Sequence, residues 1–131
     1  MIVLDTNALI WWICNSKKLS KKAKKAIDES KKEESMYIST MSVLEILSLI
    51  KKNKLELNTL ADNWLEKIQD LSYVHFVPID NKVAVLSTNL TDFSHKDPAD
   101  RIIIATALHL GAKLVTSDKK ILSYSNVQTV W

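Results

Sequence analysis

Residues 2–12 read IVLDTNALIWW. The uninterrupted apolar run Ile2, Val3, Leu4 suits a strand buried on both faces, and Asp5, Thr6 or Asn7 then caps the apolar helix that begins directly behind it. A strand passed straight to a helix opens a βα unit, and the same order recurs along the chain. MYIS (36–39) precedes the helical run MSVLEILSLIKK (41–52), VHFV (74–77) precedes a helix near 81–88, and KLVT (113–116) precedes the short helix KKILSY (119–124). VQTV (127–130) reads as the last strand. Three further helices fill the intervals. A Lys-rich helix starts at Ser20, a natural N-cap, and runs to about residue 34; Leu60, Trp64, Leu65, Ile68 and Leu71 recur at helical spacing over 59–71; another helix runs from Pro98 to Leu110. Short apolar strands separated by helices predict right-handed crossovers and a parallel sheet covered on both faces, with any site at the carboxyl ends of the strands.

Composition narrows the chemistry. The 131 residues are 47% hydrophobic and 25% charged, which describes one ordinary globular domain with a core large enough to fold unaided. With Gly111 the only glycine, neither GxGxxG nor GxxxxGK[ST] can be written, so a dinucleotide fingerprint and a P-loop are both excluded. Pro78 and Pro98 are the only prolines, which excludes collagen-like and Pro-rich classes. The single cysteine, Cys14, can form neither an intrachain disulfide nor a thiolate cluster; it reads as a small buried hydrophobe and fits a reducing compartment. The charge-free stretches 6–16 and 102–112 fall short of the roughly 20 residues that span a bilayer, and the start of the chain lacks a basic leader region. The expectation is a soluble cytoplasmic protein without a membrane partner.

The net charge of +3 is unevenly spread: residues 1–54 carry eleven lysines against six acids, and residues 55–131 carry seven cations against nine acids. Lysines 17, 18, 21, 22, 24, 25, 31 and 32 surround Ala23, Ala26 and Ile27, the inner stripe of an amphipathic helix. That lysine array is either a solvated helix face or a contact surface for a polyanion.

Four acids stand where solvated charges are not expected. Asp5 is the only charged side chain in residues 1–16, at the carboxyl end of the first strand, and Glu45 is the only one in residues 40–50, with Met41, Ser42, Ser48 and Leu49 as its helical neighbours. Asp100 precedes the apolar run IIIATAL, and Asp118 follows the strand KLVT. Each has a plainer reading. Asp5 and Asp118 suit helix N-caps, and DPAD (97–100) suits a cap with Asp97 as N-cap, Pro98 at the first helical position and Asp100 two residues further on. Glu45, in mid-helix, has instead the alternative of a buried pair with a lysine or with Arg101. Taken together, four carboxylates at one crevice would repel one another unless a cation neutralised them. Mg²⁺ or Mn²⁺ suits such an oxygen-rich site, and phosphodiester chemistry follows from it.

The segments IVLDTNALIWW, MSVLEILSLIKKNKLEL, HKDPADRIIIATAL and KLVTSDKKI, in this order and over essentially the whole chain, resemble the PIN-domain ribonucleases, especially the VapC-type toxins of bacterial toxin–antitoxin pairs. The resemblance implies a three-layer α/β/α fold with a central parallel sheet, residues 1–131 forming a single PIN domain. It implies Mg²⁺- or Mn²⁺-dependent cleavage of single-stranded RNA, with Asp5, Glu45, Asp100 and Asp118 as the catalytic and metal-binding quartet. Asp5 and Asp100 hold the metal in this reading, Asp118 assists directly or through water, and Glu45 binds or orients water. Thr6 and Asn7 are expected to orient Asp5 by side-chain hydrogen bonds, and Arg101 to hold an acid in place or to meet a substrate phosphate. Asn7 departs from the nearest subgroup, which often has His at that position. Implied partners are an RNA substrate, a cognate antitoxin protein and a second copy in a homodimer. The apolar surplus of ALIWWI and LEILSLI offers the antitoxin a groove, with Trp11 or Trp12 as its wall.

Two other classes remain open on the residues: a different metal-dependent phosphohydrolase with Asp5 as covalent nucleophile, which the lack of a second Asp at position 7 disfavours, and a non-catalytic RNA- or protein-binding module. His75, His95 and His109 read as surface or packing histidines, and Trp11, Trp12, Trp64 and Trp131 as core or interface residues.

Overall fold

A computed structural model of the chain describes residues 1–55 and 63–131. Strands β1 (Ile2–Leu4), β2 (Met36–Ser39), β3 (Val74–Val77), β4 (Lys113–Val115) and β5 (Thr129–Val130) form one sheet in the order β3-β2-β1-β4-β5. All four pairings are parallel, and Val3, at the centre, lies opposite Tyr37 on one side and Leu114 on the other. The seven helices of the described residues are α1 (Thr6–Ile13), α2 (Lys21–Lys32), α3 (Thr40–Lys51), α4 (Trp64–Gln69), α5 (Asn81–Thr88), α6 (Pro98–Leu110) and α7 (Lys119–Leu122).

Side chains alternate across a strand, so a sheet covered on both faces needs two cores. Ile2, Leu4, Met36, Ile38 and Val115 point to one face, where Ala8, Leu9, Ile10, Ala23, Ile27, Ile46, Trp64 and Ile68 meet them. Val3 and Leu114 point to the other, against Phe93, Ile103, Ile104, Ala107, Ile121, Tyr124 and Val127. Helices α1, α2 and α4 therefore form one outer layer, and α6 and α7 the other. Helix α3 bridges them, with Ile46 in the first core and Met41 against the second. The result is the parallel sheet covered on both faces that the alternating pattern predicts, in the three-layer α/β/α arrangement that the resemblance implies.

Local chemistry sets the boundaries. Ser20 caps α2 through its hydroxyl on the Ala23 N–H, Asp80 caps α5 on the Val83 N–H, and Asp97 with Pro98 begins α6. Gly111 ends α6 in the left-handed conformation at φ 64°, which explains the one glycine in the chain. Two strands are shorter than their sequences suggest. β4 stops at Val115 and β5 keeps only Thr129 and Val130, although the Thr116 N–H still meets the Val130 carbonyl and the Leu114 N–H the Gln128 carbonyl. Helix α7 ends at Leu122, and the buried Tyr124 beyond it donates its hydroxyl to the Thr91 carbonyl. Of the helix expected over 59–71, Trp64–Gln69 is helical with Trp64 and Ile68 buried; Leu60 lies outside the described residues.

Candidate active site

In the order β3-β2-β1-β4-β5 the chain adds strands first on one side of β1 and then on the other, so the carboxyl ends of β1 and β4 flank the switch point at which open α/β sheets place their sites. Asp5 leaves β1 there, with its N–H on the Val115 carbonyl at 3.0 Å. Its carboxylate is buried and fixed at both ends. Oδ1 accepts the Thr6 N–H at 2.8 Å, capping α1, and Oδ2 accepts the Thr116 hydroxyl at 2.7 Å.

Thr6 and Thr116 extend this arrangement to two more acids. The Thr6 hydroxyl donates to Glu45 Oε1 at 2.6 Å and is hydrogen-bonded to the Ser42 hydroxyl at 3.0 Å, so one residue holds Asp5 with its backbone and Glu45 with its side chain. Thr116 Oγ1 in turn accepts the Asp118 N–H at 3.0 Å. Asp118 caps α7, its Oδ1 accepting the N–H groups of Lys120 at 2.8 Å and Ile121 at 3.2 Å. At the start of α6, Asp97 caps through Oδ1 on the Ala99 N–H, and Asp100 Oδ2 accepts from His95 Nε2 at 2.8 Å. The capping and acid-site readings of Asp5 and Asp118 are thus compatible in one side chain.

Electrostatics joins the cluster. Burial, above all, raises the Asp5 carboxyl above its usual range; repulsion from Asp118 and Asp97 adds to this, while the Thr116 and Thr6 hydrogen bonds oppose it. Glu45 is raised by burial and by the charges of Asp5, Asp100 and Asp97 against the opposing Thr6 bond. Asp100 is pushed up to about 6, first by burial, then by Asp97 and Asp5, with the His95 bond opposing and Asp118 adding to the rise. Three carboxyls whose ionised forms are disfavoured by burial and by neighbouring acids form a site with a need for positive charge.

Several side chains do other work than the sequence suggests. Thr6 orients Asp5 with its N–H, while its hydroxyl serves Glu45; Asn7 is exposed, and the second hold on Asp5 comes from Thr116. Arg101 donates from Nε to the Ser87 carbonyl, from one terminal nitrogen to those of Phe93 and His95, and from the other to that of Thr88. It therefore ties the loop before α6 to the helix. Glu45 forms no ion pair among the described residues. His95 departs most from expectation: half-buried, it bonds Asp100 and lies 3.3 Å from the Lys120 ammonium through Nδ1, whereas His75 and His109 are exposed. Asp97 belongs to the cluster as well as to the cap. The DPAD spacing signals its nearness to Asp100, and TSD signals Thr116 as a hydroxyl two residues ahead of an acid.

The donor set fits a hard divalent cation. It supplies carboxylate oxygens from four elements, hydroxyls that orient them, and no thiolate; Cys14 lies at the far end of α1. Among the described residues, ligand atoms of His95, Asp97 and Asp100 lie within 4.8 Å of one another, and the charges of Asp5 and Asp118 reach Asp100. Lysines line two clefts beside members of the cluster: Lys52 and Lys54 that of Met41, Leu44 and Glu45, and Lys96 and Lys120 that of His95. The α2 lysines lie elsewhere. Lys22 and Lys25 flank Met1 and Lys113 at the amino ends of the strands, and Lys25 and Lys31 face Glu29 and Asp28 on their own helix, as suits a solvated face.

Residues 2–127 match the family model of the PIN domain. The chain is 30% identical over 132 residues to ribonuclease VapC22 of Mycobacterium tuberculosis (strain ATCC 25618 / H37Rv), with 99% of this chain and 98% of that protein covered. Among solved structures it resembles VapBC2 from Rickettsia felis bound to a DNA fragment from its promoter, with a TM-score of 0.73 at 18% identity over 98% of this chain and 97% of that one. It also resembles FitAcB from Neisseria gonorrhoeae, with a TM-score of 0.69 at 21% identity over 98% and 96% of the two chains.

Proposed function

The chain belongs to the PIN-domain family, and on that premise we propose that it is an endoribonuclease that cleaves single-stranded RNA with Mg²⁺ or Mn²⁺ and serves as the toxin of a toxin–antitoxin pair. The observation that carries the reading is the carboxylate cluster at the switch point, in which the ionised forms of Asp5, Glu45 and Asp100 are each disfavoured by burial and by neighbouring acids. Residues 1–131 act as one PIN domain in this reading, in the cytoplasm; no helix among the described residues is long and apolar enough to cross a membrane.

The hydrogen bonds support the following roles. Asp5, Asp100 and Asp118 hold the ion through carboxylate oxygens, with Asp5 kept rigid by Thr6 and Thr116. A bound divalent cation neutralises charge on the phosphoryl oxygens and makes water a better nucleophile. Glu45, one oxygen fixed by Thr6, orients the attacking water toward phosphorus and receives its proton. Lys52, Lys54, Lys96 and Lys120 draw the phosphate backbone to the opening.

The antitoxin and a second copy are the protein partners. Leu44 is 55% exposed and Leu47 47% exposed on α3, and Leu44 shares a cleft with Glu45, so an amphipathic antitoxin segment seated there reaches the acids with a following basic residue. The test is cleavage of a single-stranded RNA by the purified protein, with chelator and with restored Mn²⁺ or Mg²⁺. Cleavage stops with chelator, returns with either ion, and is absent in Asp5→Asn. Undiminished cleavage in chelator or in Asp5→Asn overturns the assignment.

A further inference from the structure

We propose that His95 is a positioning residue for Asp100, holding its Oδ2 so that the other carboxylate oxygen is presented to the cation, and that Lys120 and Arg101 hold His95 in that role. The inference rests on the reading that the acid cluster binds a divalent cation. A lysine ammonium only donates, so the Lys120 contact at 3.3 Å makes His95 Nδ1 an acceptor. The neutral ring then carries its proton on Nε2, which donates to Asp100 Oδ2 at 2.8 Å. Each partner fits one tautomer, and together they select it.

The backbone of His95 is fixed as well. Arg101, the residue after Asp100, donates to the His95 carbonyl at 3.2 Å and to the Phe93 carbonyl at 2.8 Å, so the loop that carries the imidazole is anchored to the same turn of α6 as the carboxylate it meets. Phe93 presents itself to the ring at a right angle, with centroids 5.9 Å apart. Such outer hydrogen bonds to a ligating carboxylate typically change metal affinity 10- to 100-fold.

A competing role exists, because ligand atoms of His95, Asp97 and Asp100 lie within 4.8 Å of one another and could share an ion. The hydrogen bonds disfavour it. Nε2 carries the proton, and the Nδ1 lone pair faces Lys120 instead of the acids. The His95→Ala substitution keeps the backbone carbonyl that Arg101 binds, so the loop retains its anchor.

Mn²⁺ binding by electron paramagnetic resonance at one fixed pH, on the full chain and with melting curves of the ion-free variants, tests the proposal. Wild type binds Mn²⁺. The affinity falls about 10- to 100-fold in His95→Ala, and His95→Gln, whose amide N–H replaces the Nε2 donor, recovers most of the loss. Pulsed measurements on the wild-type complex show no directly coordinated imidazole nitrogen. An unchanged affinity in His95→Ala, failure of His95→Gln to recover it, or a directly coordinated nitrogen each overturns the positioning role while leaving the metal-binding reading intact. Absence of Mn²⁺ binding by wild type overturns both.

Discussion

Asp5 and Thr116 touch across the sheet, hydroxyl to carboxylate at 2.7 Å, although they stand 111 positions apart in the chain. The contact joins the ends of two adjacent parallel strands, and the same hydroxyl oxygen accepts the Asp118 N–H. One buried threonine thereby fixes the spacing between an acid from each end of the sequence.

Replacing Thr116 by Val keeps the shape and removes that hydroxyl. Asp5 Oδ2 loses its buried donor, and the substitution is expected to cost roughly 1–3 kcal/mol of stability and about 10- to 100-fold in Mn²⁺ affinity. Chemical denaturation and Mn²⁺ titration measure the two effects. Unchanged affinity would show that the Thr6 N–H alone orients Asp5.

Glu45→Gln retains an acceptor for the Thr6 hydroxyl and removes a charge that burial and three neighbouring acids disfavour. Stability is expected to hold or rise slightly, while single-turnover RNA cleavage falls about 10²- to 10⁴-fold. Unfolding with undiminished specific activity would instead make Glu45 a purely structural residue.

The raised carboxyls give the ion-free protein a definite pH response. Asp100 goes from an ordinary value of 3.8 to about 6 on folding, so between these values the native state binds more protons than the unfolded chain, and stability falls as pH rises through the window. Asp5 and Glu45, also raised, act in the same direction. The ion-free melting temperature is therefore expected to be higher near pH 5 than near neutrality, the Asp100 share of that difference being about 1 kcal/mol. Asp100→Asn flattens the curve, and Mn²⁺ restores stability preferentially at the neutral end. A melting temperature that rises from pH 5 to neutrality in ion-free wild type contradicts this.

The apolar surface of α3 separates binding from folding. Leu44→Ser removes an exposed side chain and should change stability by less than about 0.5 kcal/mol while weakening antitoxin binding at least tenfold. Trp11 is half-buried, packs on the first core and lies 5.5 Å from the Trp131 ring, so Trp11→Ala should lower stability measurably. Trp64→Ala, at a buried position, should cost about 3–5 kcal/mol. Calorimetric titration with the antitoxin, beside melting curves, checks all three; full antitoxin affinity in Leu44→Ser would move the groove elsewhere.

The sheet and most helices were legible because their signals are local. Apolar runs such as IVL and MYIS, caps such as Ser20 and Asp97, and the single glycine at the end of α6 act within a few residues of themselves. Asp5 and Glu45 stand out in the sequence as lone charges in apolar company, and Asp100 and Asp118 as acids at element ends. What surrounds them does not. Thr116 looked like the last residue of a strand, and His95 like a packing residue, because their partners are set by the adjacency of β1 with β4 and by the Arg101 anchor on the loop before α6. A short polar residue carries no periodic signal, so its partner becomes visible only when the strand order is known.

The position of β1 in the middle of the sheet also governs when the site comes into being during synthesis. One neighbour, β2, follows within about forty residues, but the other, β4, begins only at Lys113. A nascent chain therefore carries Asp5 and Glu45 well before Asp100, Thr116 and Asp118 have been added. Until β4 docks, the central strand has an open edge and Asp5 lacks its second anchor. The Asp5–Thr116 contact is thus among the last to become possible as the chain is made, because it waits on residues 113–116.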